Sequence, residues 1–103
     1  MTLRRTLLLA SACTAVLVST GCGPLLYTIN VAPASSAVEQ ARLAEAPTRA
    51  PYEYYLAQAY LVKAREEAAQ ANYQDAMIFA EHAEENATRA IALSRRNMRE
   101  TGR

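Results

Sequence analysis

The chain has 103 residues, enough for one small domain, with 11 Lys and Arg against 10 Asp and Glu and a formal net charge of +1. A near-neutral balance argues against nucleic-acid binding, because phosphates need a concentrated basic face. A chain this short buries only about 60–65% of its unfolded surface, which disfavours a large enclosed substrate cavity, and abundant alanine with no Trp and one Phe favours helices packed closely through small side chains.

Residues 1–21 read as a processing segment. Arg4 and Arg5 form a short positive start, and residues 6–20 (TLLLASACTAVLVST) are uncharged and largely apolar. A run of about 15 residues is short for a transmembrane helix, which needs about 20, and suits the apolar region of a signal peptide. Val18, Ser19, Thr20, Gly21 and Cys22 then resemble a lipobox, the recognition site of lipoprotein signal peptidase. Small residues at 19–21 let the backbone enter a narrow protease site, although Ser19 stands where the family usually has Leu. The resemblance implies cleavage before Cys22, with diacylglycerol on its sulfur and an N-acyl lipid as the only bound groups. The alternatives are an ordinary secretory signal or an uncleaved anchor helix, and Gly23-Pro24 immediately after Cys22 speaks against the anchor. Cys13 is discarded with the segment, so Cys22 is the one cysteine left and no internal disulfide forms. Acylation also removes an exposed thiol from an oxidising compartment. An Asp after the cysteine would resemble an inner-membrane retention signal; Gly23 there implies the outer membrane, with the domain facing the periplasm.

Cleavage leaves 82 residues with a net charge of −1. Residues 22–35 are expected to be the lipidated cysteine and an extended tether, because GPLLYTINVAPAS holds Gly, two Pro, Asn and β-branched residues. Residues 36–103 are expected to form an Ala-rich, all-α domain. Ser36 with Glu39 has the spacing of a capping box and predicts a short helix from about Ala37 to Ala46. Pro47 and Pro51 bound the loop PTRAP, and Pro51 suits the first position of the next helix. That helix is predicted from Pro51 to Ala71, with Tyr54, Ala57, Leu61, Ala64, Ala68 and Ala71 on one stripe. Asn72 with Asp75 marks the next start. A third helix is predicted from about Tyr73 to Arg96 or a little beyond, with Ala76, Ala80, Ala83, Ala87, Ala90 and Ser94 as its matching stripe and Arg95, Arg96 and Arg99 near its end complementing the dipole. Two such stripes joined by a tight turn predict an antiparallel hairpin with close axes. Glu85 and Arg89 form a favourable pair one turn apart.

The run Tyr73-x-x-Ala76-x-x-x-Ala80-x-x-Ala83 is similar to the second arm of a tetratricopeptide repeat, with Ala80 where that repeat favours an aromatic. Tyr60 and Ala64 fit its first arm, whereas Lys63 and Glu67 replace apolar residues. The chain more closely resembles a family of small bacterial lipoproteins with a helical domain of unknown function. Ala50 to Tyr54 (APYEY), Ala59-Tyr60-Leu61, Lys63-Ala64-Arg65-Glu66 and Tyr73-x-x-Ala76 carry that resemblance, which covers most of residues 36–94. It implies an envelope role, often beside proteins with an OmpA-like peptidoglycan-binding domain, and no catalytic residues.

The residues themselves point the same way. His82, the only histidine, has Glu81, Glu84 and Glu85 as neighbours, but one nitrogen donor and no free thiol make a poor metal site, and an acidic solvated face explains the cluster. Glu66 and Glu67 point about 100° apart beside Lys63 and Arg65, which suits surface ion pairs better than an acid–base pair. No Ser-His-Asp order, phosphate loop or dinucleotide fingerprint occurs, so a non-enzyme is expected. Tyr52, Tyr55 and Tyr60 are the candidate partner surface: with Tyr54 they surround one helix, and Tyr54 is expected to face inward. Tyr52 and Tyr55 then lie either under the short first helix or exposed as interface anchors. The expected function is a membrane-anchored helical interaction module of the envelope, with a self-assembling structural lipoprotein as the alternative.

Overall fold

The structure, a computed structural model, describes residues 22–102. Four helices follow one another: α1 (Cys22–Leu43), the single turn α2 (Ala46–Arg49), α3 (Pro51–Ala69) and α4 (Tyr73–Thr101), with no strand among the described residues. The all-α hairpin is present. α4 is the common partner, packing along both α3 and α1, which touch each other less. Ser94 of α4 meets the end of α1 at Ala44, so α1 and α4 run the same way. α3 runs the opposite way to both.

Small residues dictate this packing. Ala76, Ala80, Ala83, Ala87, Ala90 and Ser94 recur at alternating spacings of four and three along α4 and are all fully buried. Such a row keeps one face toward a partner over the whole helix, the geometry of coiled-coil seams. Ala57 and Ala64 of α3 and Ala34 and Ala41 of α1 face it, also fully buried. No completely buried side chain is larger than that of Ser94, so the axes approach at the low end of about 8–10 Å. Tyr54, Leu61 and Val38 close the core from its edges, with Phe79 and Ile91 packed against it.

The helix ends follow local chemistry. Pro51 occupies the first turn of α3, where no amide is needed. At the other end the Asn72 amide donates to the Glu67 carbonyl (2.8 Å) and the Ala71 amide to Ala68 (3.0 Å). This is a Schellman cap, with Ala71 in the left-handed region at φ 62° where glycine is usual. Glu45 makes the same left-handed excursion (φ 60°) between α1 and α2.

Five expectations change. The second predicted helix ends at Ala69, and Ala71, expected on its inward stripe, lies exposed in the turn. Residues 23–35 are not extended: α1 begins at Cys22 and passes through them without a break. Val31, Ala34, Val38 and Ala41 lie at helical spacing and pack on the core, and this burial outweighs the local breaking signals. Pro33 sits inside the helix with no amide to offer the Ile29 carbonyl, a defect that costs about 3 kcal/mol in a helix interior. Ser36 and Glu39 consequently lie mid-helix and cap nothing; the Ser36 hydroxyl accepts from Gln40 (3.2 Å), and Glu39 pairs with Arg42. PTRAP holds the helical turn α2 rather than an open loop. Asn72 stands at the start of α4 without a capping side-chain bond, its amide group donating instead to Glu67 (2.9 Å). α4 runs a little beyond Arg96, as expected, to Thr101, with Arg99 in its last turn, where a cation complements the helix dipole.

Two substitutions test this packing. Pro33→Ala restores an amide at an exposed position and should stabilise the domain by about 2–3 kcal/mol in urea unfolding; an unchanged midpoint would mean that residues 23–35 are not helical in solution. Ala87→Leu forces the axes apart and should destabilise by about 1–3 kcal/mol.

Candidate functional site

α3 is apolar on both sides. Its inward stripe is Tyr54, Ala57, Leu61 and Ala64, all buried. A second stripe, Tyr52, Tyr55, Ala59 and Val62, has the same three-four-three spacing and points away from the core at about 100° per residue. Tyr52 is 73% exposed, Tyr55 57% and Val62 53%. An apolar stripe on a helix normally marks a buried face, and packing inside the chain does not bury this one.

The face has a braced edge. The Tyr55 ring meets Tyr54 edge-on, centroids 5.1 Å apart at 74°, and the Tyr54 hydroxyl accepts from Gln58 Nε2 (2.9 Å). Beside Tyr55 an open groove of about 590 Å³ runs between α1 and α3, with Val38 and Leu61 among its apolar lining and Ser35, Glu39 and Arg65 as polar margins. Arg65 reaches across it to the Ser35 hydroxyl (3.4 Å). Such a surface offers aromatic anchors, an apolar floor and a polar rim, the composition of a protein-binding patch.

Tyr52 and Tyr55 are therefore exposed rather than covered by the first helix. α1 passes to one side of them and only flanks Tyr55. Tyr60 is not part of this face: it stacks on Phe79 of α4 (6.2 Å, 24° between planes) and lies 5.2 Å from the His82 ring. His82 approaches Glu85 at 4.0 Å, and no group of three His, Cys, Asp or Glu converges among the described residues. Glu85 also holds Arg89 at 3.0 Å, the expected pair. Val62, Ala59 and Val38 were missed as members of the surface; the spacing of 52, 55, 59 and 62 carried the signal.

The carboxylates of α3 form a salt-bridge face. Lys63 Nζ lies 2.8 Å from Glu67 and 3.6 Å from Glu66. The hydrogen bond from Lys63, reinforced by one from Asn72, holds the Glu67 carboxyl below its ordinary value, and the same bond raises Lys63. On α1 the Arg42 hydrogen bond likewise lowers Glu39. At the opposite end of the bundle Arg42, Glu45, Thr48, Arg49, Asn97 and Thr101 line an open polar cleft. Its guanidinium groups are already engaged, Arg42 by Glu39 (2.6 Å) and Arg49 by Glu45 (2.8 Å). A carboxyl lowered by folding stabilises the fold fully above its unfolded value, about 4.3, and loses that contribution as pH falls through its folded value. The urea midpoint of Glu67→Gln should therefore lie below that of the parent at neutral pH, and the two should converge below about pH 4. A gap that persists in acid would assign Glu67 a role other than charge pairing.

Cys22 is the first residue of α1, whereas Val18, Ser19, Thr20 and Gly21 and the rest of residues 1–21 lie outside the described residues. Among the described residues no helix is long and apolar enough to cross a membrane. Comparison with curated proteins and with solved structures finds no match. Family comparison does: residues 30–102, from within α1 to just past the end of α4, match the family described as Domain of unknown function (DUF4398), and the chain belongs to that family.

Proposed function

We propose that this protein is a lipid-anchored, non-catalytic interaction module of the bacterial envelope, and that the outward face of α3 docks a partner protein. The observation that carries the reading is the stripe of Tyr52, Tyr55, Ala59 and Val62, directed away from the core with both tyrosines more than half exposed. Tyrosine supplies a large contact area with few rotatable bonds, which suits it to anchoring an interface. The lipobox-like residues Val18 to Cys22 support acylation of Cys22, and Gly23 supports the outer membrane with the domain in the periplasm. The likeness of Tyr73 to Ala83 to the second arm of a tetratricopeptide repeat supports a hairpin used for binding rather than chemistry. A protein with an OmpA-like peptidoglycan-binding domain is the partner class that the lipoprotein resemblance suggests.

A second reading, self-assembly into an envelope structure, draws on the same stripe. Three-four-three spacing suits an antiparallel pairing of α3 with α3 from a second copy.

A photoreactive residue at position 52 or 55 in the acylated protein, irradiated in intact cells, should give an adduct with one envelope protein. The same residue at position 95, on α4, should not. Tyr52→Ala with Tyr55→Ala should weaken capture of that protein at least about tenfold, the scale of a lost aromatic anchor, with helical content unchanged. Adducts of twice the chain's own mass would favour self-assembly. Equal adducts from position 95, or none from 52 and 55, would remove α3 as the docking face.

A further inference from the structure

The ends of the bundle differ in their distance from Cys22. Ala44 at the end of α1 accepts from Ser94, and the Arg49 carbonyl accepts from Asn97 (2.7 Å), so residues 44–50 and 94–101 share one end. The α3–α4 turn at residues 70–72 is the other. Ser35 of α1 is level with Arg65 of α3. At a rise of about 1.5 Å per residue, Cys22 lies roughly 20 Å below Ser35, whereas α3 reaches its last residue only about 6 Å below Arg65. The helix starting at Cys22 therefore projects past the turn by on the order of 10 Å. The same scale puts Val62, three residues above Arg65 on α3, about 25 Å from Cys22, and Tyr55, ten residues above it, about 35 Å. Charge along α1 is distributed in the same sense, whereas the α3–α4 turn is flanked by Glu66, Glu67 and Asp75. Residues 22–38 carry no charged side chain, and the first in α1 is Glu39. The far end carries Arg42, Arg49, Arg95, Arg96 and Arg99.

We infer that the α3–α4 turn is the end of the domain that faces the lipid headgroups, and that α1 is a rigid spacer holding the Tyr52–Val62 face roughly 25–40 Å above them. The inference rests on acylation of Cys22. A flexible tether would let the domain tumble and reach freely. A helix that begins at the acylated residue does neither, and it places the uncharged part of α1 against the headgroups and the arginine-rich end farthest from them. The partner surface is then presented sideways at a fixed height, to proteins beside the anchor.

The test uses the full chain, made and processed in a bacterial host and reconstituted in phosphatidylcholine vesicles carrying a headgroup nitroxide quencher. Single fluorophores are attached at Gln74→Cys, next to the turn, or at Thr48→Cys, at the far end; both positions are exposed. Quenching at position 74 should be severalfold stronger than at 48. A flexible Gly/Ser insert of about twelve residues between Gly23 and Pro24 should remove most of that difference. Equal quenching at the two positions in the parent chain, or stronger quenching at 48, overturns the inference. The parent without an added cysteine separates this failure from failure of the acylation reading. Acylated Cys22 resists thiol reagents and the chain floats with the vesicles, whereas labelling of Cys22 in a chain that does not float overturns acylation and the orientation with it.

Discussion

Contact of alanine with alanine along Ala76, Ala80, Ala83, Ala87 and Ala90 is the interaction on which the other features depend. Each methyl group contributes little alone, on the order of 0.8 kcal/mol when buried. What the row does is bring two backbones close to α4 at once, so that many weak dispersion contacts form along its length. Because α4 is shared, α1 and α3 need little direct contact. The groove between them, and the free outward face of α3, are consequences of that sharing. The larger apolar residues sit at the margins, where Tyr54, Leu61, Val38, Phe79 and Ile91 shield the seam from water.

Charge plays a different part. The ion pairs join residues three or four apart along the chain, Glu39 with Arg42, Lys63 with Glu67, Glu85 with Arg89 and Arg96 with Glu100. They steady turns of helix and, being exposed, contribute little each. Bonds between separate segments are fewer, and most of them gather at the end remote from Cys22. There Ser94 donates to the Ala44 carbonyl and Asn97 to the Arg49 carbonyl (2.7 Å). Ala44 lies just past α1 and Arg49 is the last residue of α2, positions where carbonyls lack partners of their own.

Much of this was legible in the residues. The α4 stripe, the α3 stripe from Tyr54 to Ala64, the start at Pro51 and the turn near Asn72 all follow from spacing and from the chemistry of helix ends, whereas Ala71 falls in the turn. Residues 23–35 were misread because their local signals, Pro33, Asn30 and β-branched Val31, describe an isolated segment. In the fold, Val31, Ala34, Val38 and Ala41 find a partner in α4, and tertiary burial outweighs propensity. Ser36 and Glu39 misled in the same way, since a capping-box spacing also occurs by chance inside a helix. The candidate face was half legible. Tyr52 and Tyr55 could be named, but whether they were covered depended on where α1 ran. Tyr60 was grouped with them by proximity in sequence, although at 100° per residue it turns toward Phe79 and His82.

The polar bonds near the C-terminus of α4 acquire a further meaning from the smoothness of the alanine row. A seam of nearly identical small groups resembles a rail. Displaced by one heptad, about 10 Å, α4 would again set alanine against alanine and lose few of its contacts. Large interlocking side chains normally forbid such sliding, and this core has none that is completely buried. Ser94 and Asn97 break the degeneracy, because a displaced helix would carry them away from Ala44 and Arg49 and leave buried polar groups unmatched. They act as locating pins, and the single alignment of the bundle depends on them more than on the seam they terminate.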